Sequence, residues 1–581
     1  MNEFYRIIND VYFYINQNFT IDKKYKFIDY CKRKLKIPCE CGFSSKYYSL
    51  IRESKKYGIV YTPKEIANFI IKNLIVEKNI INNPYIKILD PSCGCGNLML
   101  ECFKYLKDIY LKNIDKINKK NNIKLNYCDI EKHIVNFNLF GFDIDKIAIM
   151  ILKIDLFRLS GNINEKNFIV KDFLIDRINE KFDFLIGNPP YIGHKSGDKN
   201  YFKILKKKYT DVYNGKGDIL YCFFSKSIRC LGLGGKLSFI ASRYFCESKS
   251  GGKLRKFIVQ NTKVHKIVDF YGIRPFRYIG IDPIIMFLRK EKNIKENDIE
   301  IIRPKNNKLQ DSNFFNYKER CTKFSILQSN LKENGWVFVN KIEENILKKI
   351  EKKAKILLSD ICESHQGIIT GCDKAFILDY TSIKKYNIEL NVVKPWIKSS
   401  YIDKYSVIRT EKYIIYLNYV KNPDTYKNSI KFISRYKDKL ENRRECKSGN
   451  RNWYELEWCR KPEIFEKEKI VFPYKSNSNK FAIDSGSYFS ADIYCITLKR
   501  TDIFNYNDLL YILNSTVYEF YFKTFAKKLG QDVYEYYPSN LMKLKIPLLN
   551  FHFSNTDNNK YLYKFFEFTA NEINVIESKC N

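Results

Sequence analysis

An amide, two prolines and a phenol follow an apolar run in Phe182-Asp183-Phe184-Leu185-Ile186-Gly187-Asn188-Pro189-Pro190-Tyr191. This set suits methyl transfer to a planar, conjugated amino group. The lone pair of such a nitrogen is delocalised into its ring and attacks poorly. The Asn188 side-chain oxygen and the Pro189 carbonyl can both accept hydrogen bonds from an NH2, favouring the more tetrahedral nitrogen of the transition state. Pro189 and Pro190 stiffen the loop so that both acceptors are already aimed, and Tyr191 offers a ring on which a flat substrate can stack. Taken alone, the tetrapeptide reads equally well as a strand-to-loop turn, because Asn and Pro are common turn residues.

The neighbouring elements decide between these readings. Residues 182–186 read as a buried parallel strand ended by Gly187, which puts Asn188 at the carboxyl end, where open α/β sheets place their chemistry. Upstream, residues 86–98 read as strand, glycine loop and helix. Gly94 and Gly96 let the backbone pass close to a ligand, and Asp90 can accept from an ammonium group or from loop amides. There is no Gly-x-Gly-x-x-Gly and no Gly-Lys-Ser/Thr, so a nucleoside ligand without phosphates fits better than NAD or ATP.

A second strand, 139–145, ends in the carboxylates Asp143 and Asp145, and an acid there commonly holds ribose hydroxyls. A third, 168–174, carries Asp172, placed to take an adenine amino group, and Phe173, placed to face the ring. Each acid on its own is as well explained as a solvated strand end. Thr62 reads as an N-cap, with Pro63 at the first helical position and Glu65 completing a capping box. Such a helix start can bind a carboxylate or be nothing more than a helix start. Strands at 236–241, 265–271 and 283–288 bring the total to seven, and with the intervening helices imply a doubly wound sheet.

Composition bounds the rest. The 581 residues, 45% hydrophobic and 16% aromatic, are enough for two or three domains and argue against general disorder. No secretory signal and no apolar run of transmembrane length is present, so a cytosolic protein without a membrane partner is expected. The 17 cysteines include no Cys-x-x-Cys, and the five histidines are isolated, so no metal site is expected and nothing resembles a Ser-His-Asp triad. A net charge of +36 favours a polyanionic partner, although codon bias toward Lys, Asn and Ile accounts for part of it.

Residues 1–50 read as a helical arm, too short for a nuclease domain. The catalytic domain is expected at 51–300, a linker at 301–360, and a mixed α/β recognition domain at 361–581. In the last of these, Arg443, Arg444, Lys447, Arg451, Trp453, Tyr454, Trp458, Arg460 and Lys475 combine cations with flat rings suited to duplex DNA, as does Lys195 after the Asn188 loop. Residues 509–521 read as a helix whose apolar pattern is interrupted at Asn514-Ser515.

In order and wording, the segments around Thr62, Asp90 to Gly96, Asp143, Asp172 and Asn188 resemble the gamma-class, TaqI-like DNA adenine-N6 methyltransferases, in which a target-recognition domain follows the catalytic one. The stretches Asn188 to Lys195, Gln366 to Lys374 and Leu440 to Gly449 are also similar to clostridial orphan methyltransferases. The resemblance implies a Rossmann-like class I fold, S-adenosylmethionine as cofactor, duplex DNA as partner and no obligate protein partner. It implies Thr62 at the methionine end of the cofactor, with Tyr61 and Ile144 also lining the site. Asp90 and the Ser92, Cys93, Gly94 and Gly96 loop would hold the amino acid, Asp143 the ribose, and Asp172 and Phe173 the adenine. Asn188 and Pro189 would polarise the target amine, between Tyr191 and a second aromatic wall, Phe276. The alternatives are an RNA or protein-glutamine methyltransferase, a fused restriction-modification enzyme, and a non-catalytic nucleic-acid-binding module.

Overall fold

The computed structural model describes residues 2–54, 60–194, 197–215, 217–276, 280–305, 313–408, 411–420, 422–529, 532–548 and 558–580. They form two compact units, Met1–Phe338 and Val339–Asn581.

The first unit is built on a nine-stranded sheet. Its strands are β1 (Ile88–Asp90), β2 (Leu139–Asp143), β3 (Phe168–Val170), β4 (Phe182–Gly187), β5 (Leu231–Ser242), β6 (Thr262–Asp269), β7 (Pro283–Lys290), β8 (Asp298–Pro304) and β9 (Cys321–Leu327). Their order is β3-β2-β1-β4-β5-β7-β6-β8-β9. Strands β1 to β5 pair in parallel, and β7 lies antiparallel between β5 and β6. The first six positions of β7, Pro283 to Leu288, are all buried, as expected of a strand covered on both faces. From β1 the chain runs outward through β2 and β3, then crosses back to β4 on the other side of β1. The carboxyl ends of β1 and β4 therefore flank the point where strand order reverses, the preferred binding crevice of open α/β sheets.

The helices Lys64–Leu74 and Asn97–Asn121 bury Ile70, Met99 and Phe103 against one face of this sheet. The helices Ile219–Cys230 and Gly252–Asn261 bury Phe223, Phe224, Leu254 and Ile258 against the other.

Two expectations are corrected here. Among the described residues the sheet has nine strands rather than seven, and the stretch 301–360 is not a linker throughout. Strands β8 and β9 extend the sheet to Leu327, because Ile299 and Ile301 alternate into the core and β8 pairs with β6. The helix Lys341–Lys353 belongs to the second unit. The short apolar alternation of β8 is hidden in sequence by the Lys- and Asn-rich segments around it.

The N-terminal arm is three helices, Asn2–Ile15, Ile21–Lys34 and Phe43–Ser54. Phe4, Ile7, Ile8, Val11 and Ile15 form a stripe at helical spacing that packs with Ala148, Ile151, Ile154 and Phe157 of the helix Lys146–Ser160.

The second unit contains two four-stranded sheets. One is antiparallel, from Cys362–Gln366, Ile493–Leu498, Lys469–Pro473 and Ala482–Asp484. The other is mixed, from Ile377–Asp379, Lys412–Ile415, Val393–Ile397 and Tyr488–Phe489. The interruption at Asn514-Ser515 separates two helices, Tyr506–Asn514 and Thr516–Phe525, and Ser515 caps the second by accepting from the Tyr518 amide. Among the described residues no helix is long and apolar enough to cross a membrane, and no group of three His, Cys, Asp or Glu side chains could hold a metal ion.

Candidate active site

Strand β4 ends at Gly187, where a Cβ would meet Phe239 at 2.9 Å and the Asp90 carboxylate at 3.4 Å, so a side chain there would crowd both neighbours. Asn188 follows. Its Nδ2 donates to the Val60 carbonyl and to Thr62 Oγ1, both at 3.1 Å. A backbone carbonyl can only accept, so these bonds fix the amide with its nitrogen toward residues 60–62 and its oxygen turned away. That oxygen, Oδ1, is buried and has no hydrogen-bond partner. An unsatisfied buried acceptor costs about 1–3 kcal/mol, a cost that a donor on a ligand would remove.

Thr62 is 3% exposed, and its hydroxyl is committed to Asn188. The expected N-cap and capping box at Thr62 and Glu65 do not form. The helix Lys64–Leu74 has Pro63 at its N-cap position and no side-chain cap bond. Asn188, more than a hundred residues away in sequence, offers the hydroxyl a donor that local pattern reading does not see.

Tyr191 and Phe276 come together, with ring centroids 6.1 Å apart and planes inclined by 54°. The Tyr191 hydroxyl is buried without a partner. Burial, and secondarily the carboxylate of Asp218, raises its pKa far above that of an ordinary phenol. Asp218 caps the helix Ile219–Cys230 through the Leu220 amide, and burial pushes its own pKa up to about 6.

At the end of β1, Asp90 is almost fully buried and accepts from the Ser92 amide at 3.0 Å. Burial, reinforced by the charge of Asp143 and opposed by the Ser92 amide, pushes it up to about 8. Ser92 Oγ is another buried group without a partner. The loop then turns through Gly94 (φ +51°) and Gly96 (φ +85°), backbone conformations that favour glycine, and a Cβ on Gly96 would lie 2.1 Å from Leu152. Cys93 is buried and donates its amide to Phe142 O at 2.9 Å.

Asp143, at the end of β2, accepts from the Gly94 amide at 2.8 Å and the Asp145 amide at 2.9 Å, and burial raises its pKa. Beside it Ile144 is 73% exposed, and Tyr61 is also exposed. Two buried side-chain oxygens without partners, a loop turned by Gly94 and Gly96, and the carboxylates of buried Asp90 and half-buried Asp143 thus converge on the carboxyl ends of β1, β2 and β4. This set fits a ligand carrying an ammonium group and a nucleoside.

Past β3, Asp172 Oδ1 accepts from the Leu174 and Ile175 amides at 2.9 and 3.1 Å. Its Oδ2 accepts from the Tyr201 hydroxyl at 2.9 Å. Phe173 does not face the crevice. It is 2% exposed and stacked on Phe223 at 5.7 Å, because the Asx turn at Asp172 directs it into the core.

In the second unit the expected DNA-contacting residues divide. The guanidinium and Nε of Arg443 donate to the carbonyls of Leu440, Thr370, Trp453 and Glu455 at 2.9–3.2 Å, so this residue ties its own loop together and is not free for phosphate. Arg460 is similarly held by Gly367 O at 3.3 Å and Gln366 Oε1 at 3.1 Å. Arg444, Lys447, Lys475 and Trp458 are exposed, and Arg451, Trp453 and Tyr454 half-buried. Lys437 Nζ stands 5.4 Å from the Trp453 ring and Lys475 Nζ 5.4 Å from that of Tyr474. Lys195 lies outside the described residues. Local pattern reading misses Tyr201, and also Tyr47 and Tyr48, which reach Asp145 and Asn97. These are tertiary pairings without a local motif.

The family model described as Eco57I restriction-modification methylase matches residues 137–276, and the TaqI-like C-terminal specificity domain matches 382–548. The chain is 26% identical over 530 residues to the Type II methyltransferase M.BstVI of Geobacillus stearothermophilus, covering 85% of this chain and 90% of that protein. It is 24% identical over 519 residues to the Type II restriction enzyme and methyltransferase RM.Eco57I of Escherichia coli, covering 74% of this chain and 50% of that one. Its fold is similar to that of the Type IIL restriction-modification enzyme MmeI, solved in complex with DNA, with a TM-score of 0.57 at 13% identity over 83% of this chain and 67% of that one. The methylase match spans β2, the Asn188 loop and Phe276, and the specificity match falls within the second unit. The chain is therefore similar to the methyltransferases of restriction-modification systems, with an Eco57I-type methylase segment followed by a TaqI-like specificity segment, and the likeness implies S-adenosylmethionine as cofactor.

Proposed function

We propose that this chain methylates the N6 amine of adenine in duplex DNA, with the base rotated out of the stack into the Asn188 pocket. The observation that carries this reading is the Asn188 amide: pinned through its nitrogen, it leaves a buried, unpartnered oxygen at the carboxyl end of β4. S-adenosylmethionine supplies an activated methyl group on its sulfonium. Asp90, Ser92 and the loop of Gly94 and Gly96 hold its amino acid, Asp143 its ribose and Asp172 its adenine, with Tyr61 and Ile144 along its flanks.

Asn188 Oδ1 and the Pro189 carbonyl accept the two N6 hydrogens, drawing the nitrogen lone pair out of conjugation and aiming it for in-line attack. Both acceptors are preorganised, one by Val60 and Thr62, the other by the rigid prolines. Tyr191 and Phe276 supply the aromatic surface that replaces base stacking. An amide oxygen is too weak a base to keep the proton released, which leaves to solvent.

DNA as the acceptor is supported by the specificity-domain match and by the net charge of +36. Arg444, Lys447, Arg451, Trp458 and Lys475 are the proposed contacts of the second unit. We also infer modification without cleavage by this chain in the cytoplasm. Plasmid that stays supercoiled with the protein and Mg²⁺ would agree, and linear product would refute it. The substrate reading is tested by offering duplex DNA, total RNA and cell protein in parallel with labelled S-adenosylmethionine. Label in DNA supports it, whereas label only in RNA or protein overturns it.

A further inference from the structure

We propose that the arm helix Phe43–Ser54 is a wall of the cofactor site and that Tyr48 is a positioning residue for the glycine loop. The proposal rests on S-adenosylmethionine as cofactor, not on the choice of acceptor.

Three ties fasten this helix to the elements that shape the crevice. At its start, Asp155 of the helix Lys146–Ser160 accepts from the Phe43 amide at 3.3 Å. The approach is so close that a Cβ on Gly42 would lie 2.4 Å from the same carboxylate. One turn on, the Tyr47 hydroxyl donates to Asp145 Oδ2. Asp145 Oδ1 accepts from the Ile147 amide at 2.9 Å, and its own amide donates to Asp143 at 2.9 Å. Tyr47 thus steadies the turn that presents the ribose-side carboxylate. Next, the Tyr48 hydroxyl accepts from Asn97 Nδ2 at 3.0 Å and stands over Gly94, where a Cβ would meet it at 3.2 Å. The Tyr48 ring is set edge-on to Tyr61 at 5.5 Å.

The arm therefore touches the cofactor-side elements at the β2 turn, the glycine loop and Tyr61. Neither family match reaches it, since the first begins at residue 137. The loop it covers turns through two left-handed glycines, positions with wide conformational freedom when nothing holds them. Holding that loop in its liganded shape before the ligand arrives lowers the ordering cost of binding. By linkage, whatever the helix contributes to cofactor affinity the cofactor returns to the helix.

The test uses the full chain and S-adenosylhomocysteine as probe, without DNA. Tyr48→Phe removes the hydroxyl that accepts from Asn97 and should weaken binding in calorimetry by about 3- to 10-fold. In turnover the loss should appear as a raised KM for S-adenosylmethionine, with kcat changed much less. Tyr47→Phe should act in the same direction. In the unaltered protein, amides of the helix Phe43–Ser54 should exchange more slowly when S-adenosylhomocysteine is bound, a readout independent of any variant's folding. Unchanged probe affinity in both variants, or exchange in this helix indifferent to the probe, would overturn the proposal. A fall in thermal midpoint with intact affinity would reduce the helix to scaffolding. Because no acceptor is present, a wrong choice of acceptor would leave all of these results untouched.

Discussion

Thr62→Val keeps the shape of a buried side chain and removes its oxygen. Thr62 Oγ1 receives one of the two bonds from Asn188 Nδ2, and the other, to Val60, remains. The amide is then held at one point rather than two, and Oδ1 is free to swing out of line with the incoming amine. One such bond is worth about 0.5–1.5 kcal/mol. At about 1.36 kcal/mol per tenfold in rate, its loss lowers kcat by about 2- to 13-fold if it is felt wholly in aiming Oδ1. The assay is methyl transfer to DNA at saturating S-adenosylmethionine, with S-adenosylhomocysteine affinity measured alongside by calorimetry. The expected result is a fall in kcat with affinity retained, and recovery in Thr62→Ser, which restores the oxygen. A capping threonine would give the opposite pattern, a loss of stability with unchanged chemistry, and a cofactor-contacting threonine would weaken binding. Undiminished kcat in Thr62→Val would refute the aiming role.

Asn188→Ala removes the acceptor itself and should cost about 10²–10³ in kcat, the usual toll for one preorganised group at a reacting centre, with S-adenosylhomocysteine binding largely intact in calorimetry. Asp143→Ala should weaken cofactor binding by about 1–3 kcal/mol; unchanged calorimetric affinity would remove Asp143 from the ribose site. Asp90, raised by burial from an ordinary 3.8 to about 8, is protonated in the cofactor-free protein below that pH. Its folded pKa lies above its unfolded value, so its contribution to stability is present below about pH 4 and is lost as pH rises toward 8. An ammonium ligand needs the ionised form, so S-adenosylhomocysteine affinity should fall from pH 8 to pH 6, and Asp90→Asn should flatten that limb. Arg443→Ala should lower the thermal midpoint of the second unit by stranding the five carbonyls to which its side chain donates. Lys447→Ala should instead leave the midpoint unchanged and reduce the salt dependence of DNA binding by about one counterion, read from the slope of log affinity against log salt.

The catalytic half of the fold was legible because its signals are local. An apolar strand followed by Asn188, a glycine loop after Asp90 and an acid after β2 are each written within about a dozen residues, and their order implies the doubly wound sheet. What escaped the sequence depends on partners far along the chain. Thr62 has the neighbours of a helix cap, yet its hydroxyl is claimed by Asn188. Phe173 sits beside an acid expected in the pocket, yet the turn at Asp172 sends its ring to Phe223. Arg443 looks like a phosphate ligand on composition, but a guanidinium fork is equally suited to carbonyls, and only the folded loop decides. The last two strands were obscured because Ile299 and Ile301 alternate within a Lys- and Asn-rich stretch. The arm was legible as helical but not as part of the site, because the pairings of Tyr47 and Tyr48 leave no pattern in sequence.

The central claim, that the pinned Asn188 amide directs methyl transfer to adenine N6 in DNA, is tested most directly by nucleoside analysis. Duplex DNA lacking prior methylation would be treated with S-adenosylmethionine and either the unaltered protein or Asn188→Ala, then digested and separated. The account predicts N6-methyladenine from the unaltered protein and at most a trace from the variant. N4-methylcytosine as the product, or equal N6-methyladenine from both proteins, would contradict it.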